Sequence, residues 1–397
     1  MVGVDSASDW ASSGLAYLTG LSDGQPDFSR AAVLAEARRV TADIARLFGI
    51  EVDAATVLAG RAAISDLTRR GRVSAGGAAR LLATADGWCA VALPRADDVA
   101  ALPALLETDA IPADPWMALS HWAATRSTDA VVGRSRLLDI SAAGLGEVCA
   151  EQPAVRRCRA HAEPRQADGL LVADLSSLWA GPLCAQLLAR AGAVVVKVES
   201  PRRPDGTRAG VPAFFNWMNF GKLSYAVDFE NDADALRQLL AAADVVIEGS
   251  RPAALQRRQL SADDVPARAG RIWLRITGYR DQPDRSAFGD DAAVAGGLVG
   301  AAADGPVFCG DAIADPLSGL EAARAVGQSL QRGGGEVIDV SIAQVAARYA
   351  ALPRASSTSA APVARPTPPP PSPAASPLGA DNLAVRHIVA ERLCTPC

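Results

Sequence analysis

The sequence has few lysines, few histidines and no long apolar run, and each shortage narrows the choice of function. Only two of its 39 basic residues are lysines, Lys197 and Lys222, and only three residues are histidines. With a formal net charge of -5, the chain lacks the basic face that nucleic acids require. No apolar run approaches the roughly 20 residues that cross a bilayer, and the N-terminus lacks the basic and apolar parts of a leader. We therefore predict a soluble, cytoplasmic protein with no nucleic-acid or membrane partner.

The cysteines give no sign of a disulfide framework or a metal site. There are seven, an odd number at irregular spacings. The only close pair is the CxxC at residues 394–397. One such pair cannot supply the four ligands of a structural zinc site, and histidines are too scarce to complete it. We therefore expect no metal.

The sequence also lacks the glycine fingerprint of a nicotinamide-dependent reductase. That fingerprint places glycines in the first strand-to-helix turn, so that the backbone can approach a pyrophosphate. Here that turn is residues 175–182, which contain one glycine and the bulky Trp179. Nothing in the chain matches GxGxxG or a phosphate-loop lysine motif. We therefore expect no NAD.

Strand-like and helix-like segments alternate between residues 170 and 341. Apolar or β-branched runs predict strands at 170–174, 193–199, 224–228, 244–248, 271–277 and 336–341. Apolar residues at helical spacing predict helices at 183–192, 233–243 and 317–330. Such alternation implies crossover connections. We therefore predict an α/β fold, with a mostly parallel sheet and Rossmann-like crossovers.

The two ends of the chain differ from this middle part. Residues 1–165 are rich in Ala, Arg and Asp, with a helical run at 31–48 and a turn followed by a strand at 84–93. We predict that they form a smaller α+β domain beside a core at 166–351. Residues 352–377 include the polyproline run PTPPPPSP and are predicted to be a linker. Residues 378–397 are predicted to be a helical tail.

Six motifs in the middle part resemble, in order, those of class III coenzyme A (CoA) transferases. They are the opening at 172–199, NFGK at 219–222 with Ser224 and Asp228, DVVIEGSRP at 244–252, TGY at 277–279, GDAIADPLSGLEAA at 310–323, and GGGEVIDVS at 333–341. The front of the chain is similar to the same family but out of order, at 11–20 and 83–91. Residues 378–383 resemble the family's C-terminal LGxHN. The chain is thus identified as a rearranged or fused member whose catalytic half comes second.

This resemblance implies an enzyme that moves CoA between an acyl-CoA donor and a carboxylic acid acceptor through an aspartyl-CoA thioester. Asp315, in the segment at 310–323, matches the nucleophile, and Asp311 is the second candidate. Asp-Pro before an apolar helix is also typical of a helix N-cap with proline at N1. The two roles can coexist, because a helix N-terminus stabilises an ionised carboxylate. Backbone N–H groups around Gly310 or at Gly76-Gly77 are candidates for an oxyanion site.

The resemblance also implies contacts to CoA. Both lysines fall at matching positions near predicted strand ends, where parallel sheets place their ligands. The predicted CoA-binding residues are Lys197, Arg208, Lys222, Arg251, Arg257 and Tyr279. We expect Lys197 and Tyr279 to lie near the carboxyl ends of adjacent strands. Trp179 either shapes an acyl pocket or packs in the core.

Two other functions remain open. An α-methylacyl-CoA racemase of the same superfamily uses a histidine and an aspartate, but the segment expected to carry the histidine, 287–293, has none. A non-catalytic acyl-CoA-binding homologue is kept open by departures from the family pattern at 200 and 249–250. The family also implies a homodimer, in which the proline-rich arm reaches around a neighbouring chain.

Overall fold

The computed structural model describes residues 5–249, 251–266 and 268–394. Ser250 of the 244–252 motif and three residues of the CxxC segment lie outside the described residues. The six described cysteines are all free thiols. No helix in the described ranges combines the length and the apolar character needed to cross a bilayer.

Strands and helices alternate along most of the chain. The strands are β1 (Ala79–Ala83), β2 (Trp88–Ala92), β3 (Ser141–Gly144), β4 (Ala154–Arg157), β5 (Leu171–Leu175), β6 (Val194–Glu199), β7 (Leu223–Ala226), β8 (Val245–Glu248), β9 (Ile272–Thr277), β10 (Val299–Ala302), β11 (Gly305–Phe308) and β12 (Glu336–Ser341). The α-helices are α1 (Asp5–Ser12), α2 (Ala32–Phe48), α3 (Ala54–Ile64), α4 (Ala96–Ala100), α5 (Leu102–Leu106), α6 (Pro115–Ala124), α7 (Thr128–Leu137), α8 (Ala180–Arg190), α9 (Pro212–Asn219), α10 (Ala233–Ala242), α11 (Pro252–Gln256), α12 (Gly289–Ala295), α13 (Ala314–Gln331), α14 (Ile342–Ala350) and α15 (Asn382–Cys394).

The central sheet has seven strands in the order β4-β12-β9-β8-β5-β6-β7. Within this sheet β12, β9, β8, β5, β6 and β7 pair in parallel. The remaining strand, β4, joins one edge antiparallel to β12. The prediction of a mostly parallel α/β sheet is therefore confirmed. Numbered along the chain, the six parallel strands follow the order 3-2-1-4-5-6 of doubly wound nucleotide-binding sheets. Such sheets bind ligands where the order reverses, which here is at the carboxyl ends of β5 and β8.

Helices cover both faces of this sheet. On one face α8 and α13 pack against each other and against the apolar side chains of β5, β8 and β9. On the other face α10 and α15 share a second apolar cluster. Gly319 of α13 allows the close approach of α8, since a Cβ there would lie 2.7 Å from the carbonyl oxygen of Ala180. This contact fixes the start of α13 relative to the strand ends.

The N-terminal third divides into two parts. Helices α1 to α3 share the large core with α8 and α13, and α2 packs along α13. The antiparallel sheet β1-β2-β3 has an apolar cluster of its own, formed with α5, α6 and α7. A boundary at residue 165 therefore does not follow the apolar packing, because α1 to α3 belong to the core of the parallel sheet. Strands β10 and β11 form a separate antiparallel hairpin.

The proline-rich segment lies along its own chain. Backbone hydrogen bonds join Ser357 to Phe28 and Ala364 to Ala11, both at 3.0 Å. The Asn216 side chain accepts a bond from the Ala375 amide, also at 3.0 Å. The segment thus connects α14 to the tail across the N-terminal helices. The homodimer stays a prediction, and these contacts show what the arm does within one chain.

The C-terminal tail covers the β7 edge of the sheet. The Asp381 and Asn382 side chains accept hydrogen bonds from the backbone amides of Ser224 and Ala226, at 2.7 and 2.9 Å. Asn382 returns a bond to the Ala226 carbonyl at 3.0 Å. These side chains take the place that an eighth strand would occupy.

Candidate active site

Asp315 lies at the start of α13, two positions further into the helix than predicted. Ile313 is the N-cap residue and Asp315 is the second residue of the helix. The N-cap interpretation of Asp315 is therefore wrong. Its partly exposed carboxyl group instead lies against Gly289, where an added Cβ would be 2.8 Å from Cγ of Asp315. The Gly289 backbone amide is a hydrogen-bond partner of this carboxylate.

Two further carboxylates come from the first turn of α12. Asp290 accepts a hydrogen bond from the Ala312 amide at 3.0 Å, which joins α12 to the turn before α13. That turn is tight, with φ of +67° at Gly310 and +43° at Ala312. Asp291 is fully buried and accepts bonds from the Ser141 hydroxyl at 2.8 Å and the Phe288 amide at 2.9 Å. The carboxylates of Asp290, Asp291 and Asp315 thus lie together beside the turn that precedes α13.

The N-terminal third contributes a cation to this cluster. Arg61, on α3, forms a two-bond ion pair with Asp311, in which Nε donates to Oδ2 at 2.8 Å and Nη2 donates to Oδ1. Asp311 is completely buried, whereas the Arg61 side chain remains 28% exposed. Asp311, the second candidate nucleophile, is therefore occupied as the partner of Arg61. The N-terminal third of the chain thus reaches the candidate site.

The four carboxylates differ in their electrostatic surroundings. Burial raises the pKa of Asp315 to about 7, and repulsion by Asp290 and Asp291 adds to this, while Arg61 opposes it. Burial likewise raises the pKa of Asp291 to about 7 and that of Asp290 to about 6. The pKa of Asp315 is thus raised above that of a free carboxyl group although the residue lies in the first turn of α13.

Aromatic rings and glycines surround the Arg61 guanidinium. Its Cζ lies 5.0 Å from the Trp179 ring centroid and 5.9 Å from that of Phe214, and the two rings meet edge to face. Trp179 is 2% exposed, so it packs in the core and also forms one wall beside Arg61. The Gly76 turn lies on another side, since a Cβ there would be 3.6 Å from Nη2. Trp179 thus combines core packing with lining the surroundings of Arg61, whereas the sequence offered core packing and an acyl pocket as alternatives.

The amides proposed for an oxyanion site are in part occupied. The Gly310 amide donates to the Thr19 hydroxyl at 3.0 Å, and the Gly77 amide donates to the Ser74 carbonyl at 2.8 Å. The Gly289 amide is the one that faces the Asp315 carboxylate.

The two lysines lie in the interior, away from solvent. Lys222 is 3% exposed and donates to Asp174 at 2.9 Å, the Pro182 carbonyl at 3.0 Å and Asn219 at 3.1 Å. Lys197 donates to the Ser176 carbonyl and to Asp205, both at 2.7 Å. All three protons of the Lys222 ammonium are thus used inside the chain. A phosphate contact by either lysine would require displacing these partners.

The other predicted CoA contacts divide by exposure. Arg208 pairs with Glu199 and stacks on Phe215, and Tyr279 is buried beneath the guanidinium of Arg285. Arg251 and Arg257 are exposed beyond the carboxyl end of β8. Arg251 contacts Asp139 and Ser286 and so bridges the small sheet and the loop before α12.

The placement of Lys197 and Tyr279 on adjacent strands is wrong. Lys197 is on β6 and Tyr279 follows β9, and β5 and β8 lie between these strands. The error arises because chain order and spatial order differ in a doubly wound sheet, where the third strand added after β5 moves to its other side.

Sequence reasoning missed Arg61 and Asp290. Arg61 is the one charged residue in α3, AATVLAGRAAI, and a lone charge in an apolar helix marks a buried ion pair or a functional site. Asp290 lies in the segment 287–293, whose sequence indicates only that it has no histidine. Asp290 affects the charge of Asp315 because the contact between Gly289 and Asp315 brings α12 and α13 together. The sequence does not reveal this contact.

The comparisons with known proteins identify the family. The model of CoA-transferase family III matches residues 168–380, more than half of the chain. The chain belongs to CoA-transferase family III. The matched part runs from just before β5 to the start of the tail, so it contains the parallel sheet, α12 and α13. Arg61 lies outside it.

Named relatives each match just under half of the chain. The succinyl-CoA–D-citramalate CoA-transferase of Chloroflexus aurantiacus is 30% identical over 199 residues, covering 45% of this chain and 50% of that protein. The succinate–glutarate CoA-transferase of Agrobacterium fabrum is 30% identical over 203 residues, covering 45% and 51%. A crystal structure of Rv3272 from Mycobacterium tuberculosis is 30% identical and covers 48% of this chain and 56% of that one, with a TM-score of 0.43. The chain spans about half the length of the curated relatives it matches.

Proposed function

We propose that the protein is a CoA transferase that moves CoA from an acyl-CoA to a carboxylic acid, with Asp315 as the covalent nucleophile. The single observation that carries the proposal is the position of Asp315. Its carboxylate is partly exposed, makes no N-cap bond, and faces the Gly289 amide. The other carboxylates nearby are held by Arg61, Ser141 or backbone amides.

The chemistry needs only a carboxylate and exclusion of water. An Asp315 oxygen attacks the thioester carbonyl of the donor, the C–S bond breaks, and the CoA thiolate leaves with the electron pair. The thiolate then attacks the Asp315 carbonyl carbon of the resulting anhydride and releases the donor acid as a carboxylate. An acceptor carboxylate reverses these two steps. Covalent catalysis thereby divides one exchange into steps that are close to energetic balance.

The surrounding residues support these steps. The Gly289 amide is positioned to stabilise negative charge on the reacting carboxyl group. Trp179 and Phe214 exclude water on the side of Arg61, which protects an anhydride from hydrolysis. The carboxyl ends of β5 and β8 are the ligand edge of a doubly wound sheet. Arg251 and Arg257, exposed at that edge, are the better candidates for the CoA phosphates, since Lys197 and Lys222 are internally paired.

A trapped intermediate tests the proposal directly. The protein is incubated with a panel of acyl-CoAs, among them acetyl-CoA and succinyl-CoA, and treated with borohydride or hydroxylamine. We expect mass spectrometry to find the modification on the peptide that contains Asp315. Protein incubated with free CoA is the control and should carry none. Modification only at Asp311, or none with any donor, would contradict the proposal.

The pH dependence follows from the raised pKa of Asp315. The nucleophile must be ionised, and its pKa in the free protein is raised to about 7 by burial and by Asp290 and Asp291. The rate of enzyme modification at low acyl-CoA concentration should therefore rise about tenfold per pH unit below pH 6 and level off above pH 8. A pre-steady-state pH profile measures this. A profile already flat at pH 5 would show that Asp315 is ionised more readily than this geometry implies.

One observation favours a second candidate, an acyl-CoA racemase or isomerase. Asp290 and Asp315 lie in the first turns of α12 and α13, and the charge of Asp290 raises the pKa of Asp315, so one of the two can hold a proton while the other is ionised. Solvent deuterium entering the acyl chain next to the carbonyl, without CoA exchange between acids, would support this candidate. CoA transfer without any uptake of solvent deuterium into the acyl chain would exclude this candidate.

A further inference from the structure

One edge of the Arg61 guanidinium is unoccupied. Nε and Nη2 both donate to Asp311, but Nη1 has no hydrogen-bond partner among the residues that the structure describes. The side chain is 28% exposed, so this edge is reachable from solvent although the group is largely enclosed. An arginine with two protons free beside a candidate nucleophile is suited to bind a carboxylate.

The guanidinium is also held in one orientation. The two bonds to Asp311 fix its plane, and the Trp179 ring at 5.0 Å supports its face. Asp311 is completely buried, so its own position is fixed by the turn before α13. Because this same turn leads into Asp315, Arg61 and the nucleophile are anchored to one segment of five residues, 311–315. A ligand bound by Nη1 would therefore be placed relative to Asp315 without any rearrangement.

The charge balance favours binding at one stage of the reaction. In the free protein Arg61 faces the carboxylates of Asp311, Asp290 and Asp315. A further anion is then opposed by Asp315. Conversion of Asp315 to its CoA thioester removes that charge, because the carboxylate oxygen is replaced by sulfur. The attraction between Arg61 and a free carboxylate becomes stronger when the acceptor is needed.

We propose that Nη1 of Arg61 binds the carboxylate of the free acid, both the acceptor that enters and the donor acid that leaves. This inference rests on the proposed function, and it assigns a role to a residue outside the part of the chain that the family model matches. It makes Arg61 a determinant of acid binding and not of acyl-CoA binding.

The test compares Arg61→Lys with the wild type. Lysine keeps the charge opposite Asp311 but loses the fixed two-edged geometry. The assay uses succinyl-CoA and glutarate as the first substrate pair, and then the acyl-CoA donor that labels Asp315. We expect the KM for the acceptor acid to rise at least about tenfold. The inhibition constant of the donor acid as product should rise equally, and the KM for the acyl-CoA should change less than threefold.

Two further variants keep the result interpretable. Arg61→Gln with Asp311→Asn removes both charges of the ion pair together, so neither is left unpaired, and should show the same loss of acid affinity. Arg46→Gln, an exposed arginine on α2, is the matched control and should change nothing. If Arg61→Lys lowers kcat for every substrate while the acid constants stay unchanged, Arg61 acts through Asp315 alone and the inference is wrong. If the wild type forms no adduct on Asp315, the proposed function fails instead.

Discussion

The Asp315→Asn variant is expected to lose CoA transfer by roughly 10⁴-fold or more, because an amide cannot form the anhydride. Acyl-CoA binding should change little, since asparagine is isosteric and still accepts a bond from the Gly289 amide. Steady-state transfer assays together with calorimetric titration of CoA measure both effects. Asp290→Asn, which alters a neighbouring carboxylate at the same turn, is the comparison for the electrostatic contribution.

The same variant should be more stable than the wild type at high pH. A carboxyl group whose pKa is raised on folding holds its proton more tightly in the folded state, so the stability that this proton provides is present below pH 4 and lost as the pH rises to about 7. Asparagine mimics the neutral form at every pH. We expect the Tm of Asp315→Asn to exceed that of the wild type by at least about 3 °C at pH 8, and by less at pH 5.

Two outcomes would contradict this account. Full transferase activity in Asp315→Asn would place the nucleophile elsewhere, with Asp311 as the next candidate. A lower Tm at pH 8 would mean that the ionised carboxylate stabilises the turn. Asp311→Asn gives the opposite expectation, because it leaves Arg61 without its buried partner and should lower the Tm.

Replacing Lys222 with methionine is expected to destabilise the protein by about 3–5 kcal/mol. Asp174 is completely buried and loses its direct partner, and an uncompensated buried charge is costly. Urea unfolding followed by circular dichroism measures the change in the free energy of unfolding. Replacing an exposed charged residue away from such a pair usually changes stability by less than about 0.5 kcal/mol.

The double variant Asp174→Asn with Lys222→Met is the control for this prediction. Removing both charges should recover more than half of the lost stability, because the desolvation cost disappears with the ion pair. If Lys222→Met instead folds with unchanged stability and only its affinity for CoA falls, the lysine serves as a phosphate contact as first expected from the sequence. The experiment thus separates the two interpretations of Lys222.

Much of the fold could be predicted from the sequence, because local patterns determine it. The run AVVVKVE is too rich in β-branched residues to be a surface helix, and β12 begins and ends where its pattern does, at Glu336 and Ser341. The order of the strands in space was not predictable in the same way. β8 could pair with β5, as it does, or with the outer edge of β7. The choice depends on how the crossover helices pack, and no single segment of the sequence indicates it.

The candidate site was predictable in part, for a different reason. Asp315 was found because its segment resembles a family motif. Arg61 reaches its partner Asp311 across 250 residues of chain, and such a contact leaves no local pattern. The lysines, whose contact with CoA stays a prediction, illustrate a different point. Their scarcity suggested a ligand, whereas a residue type can be rare on the surface and still be required to neutralise a buried aspartate such as Asp174.

The tail described above has a consequence for how the molecule behaves in a crowded solution. An open sheet presents free N–H and C=O groups at its outer strands, which invite pairing with another chain and aggregation. At β7, Asp381 and Asn382 occupy these groups. At the opposite edge, β4 is only four residues long and exposes Arg156 and Arg157. Both edges are thus protected against strand addition, one by side chains that imitate a strand and one by charge.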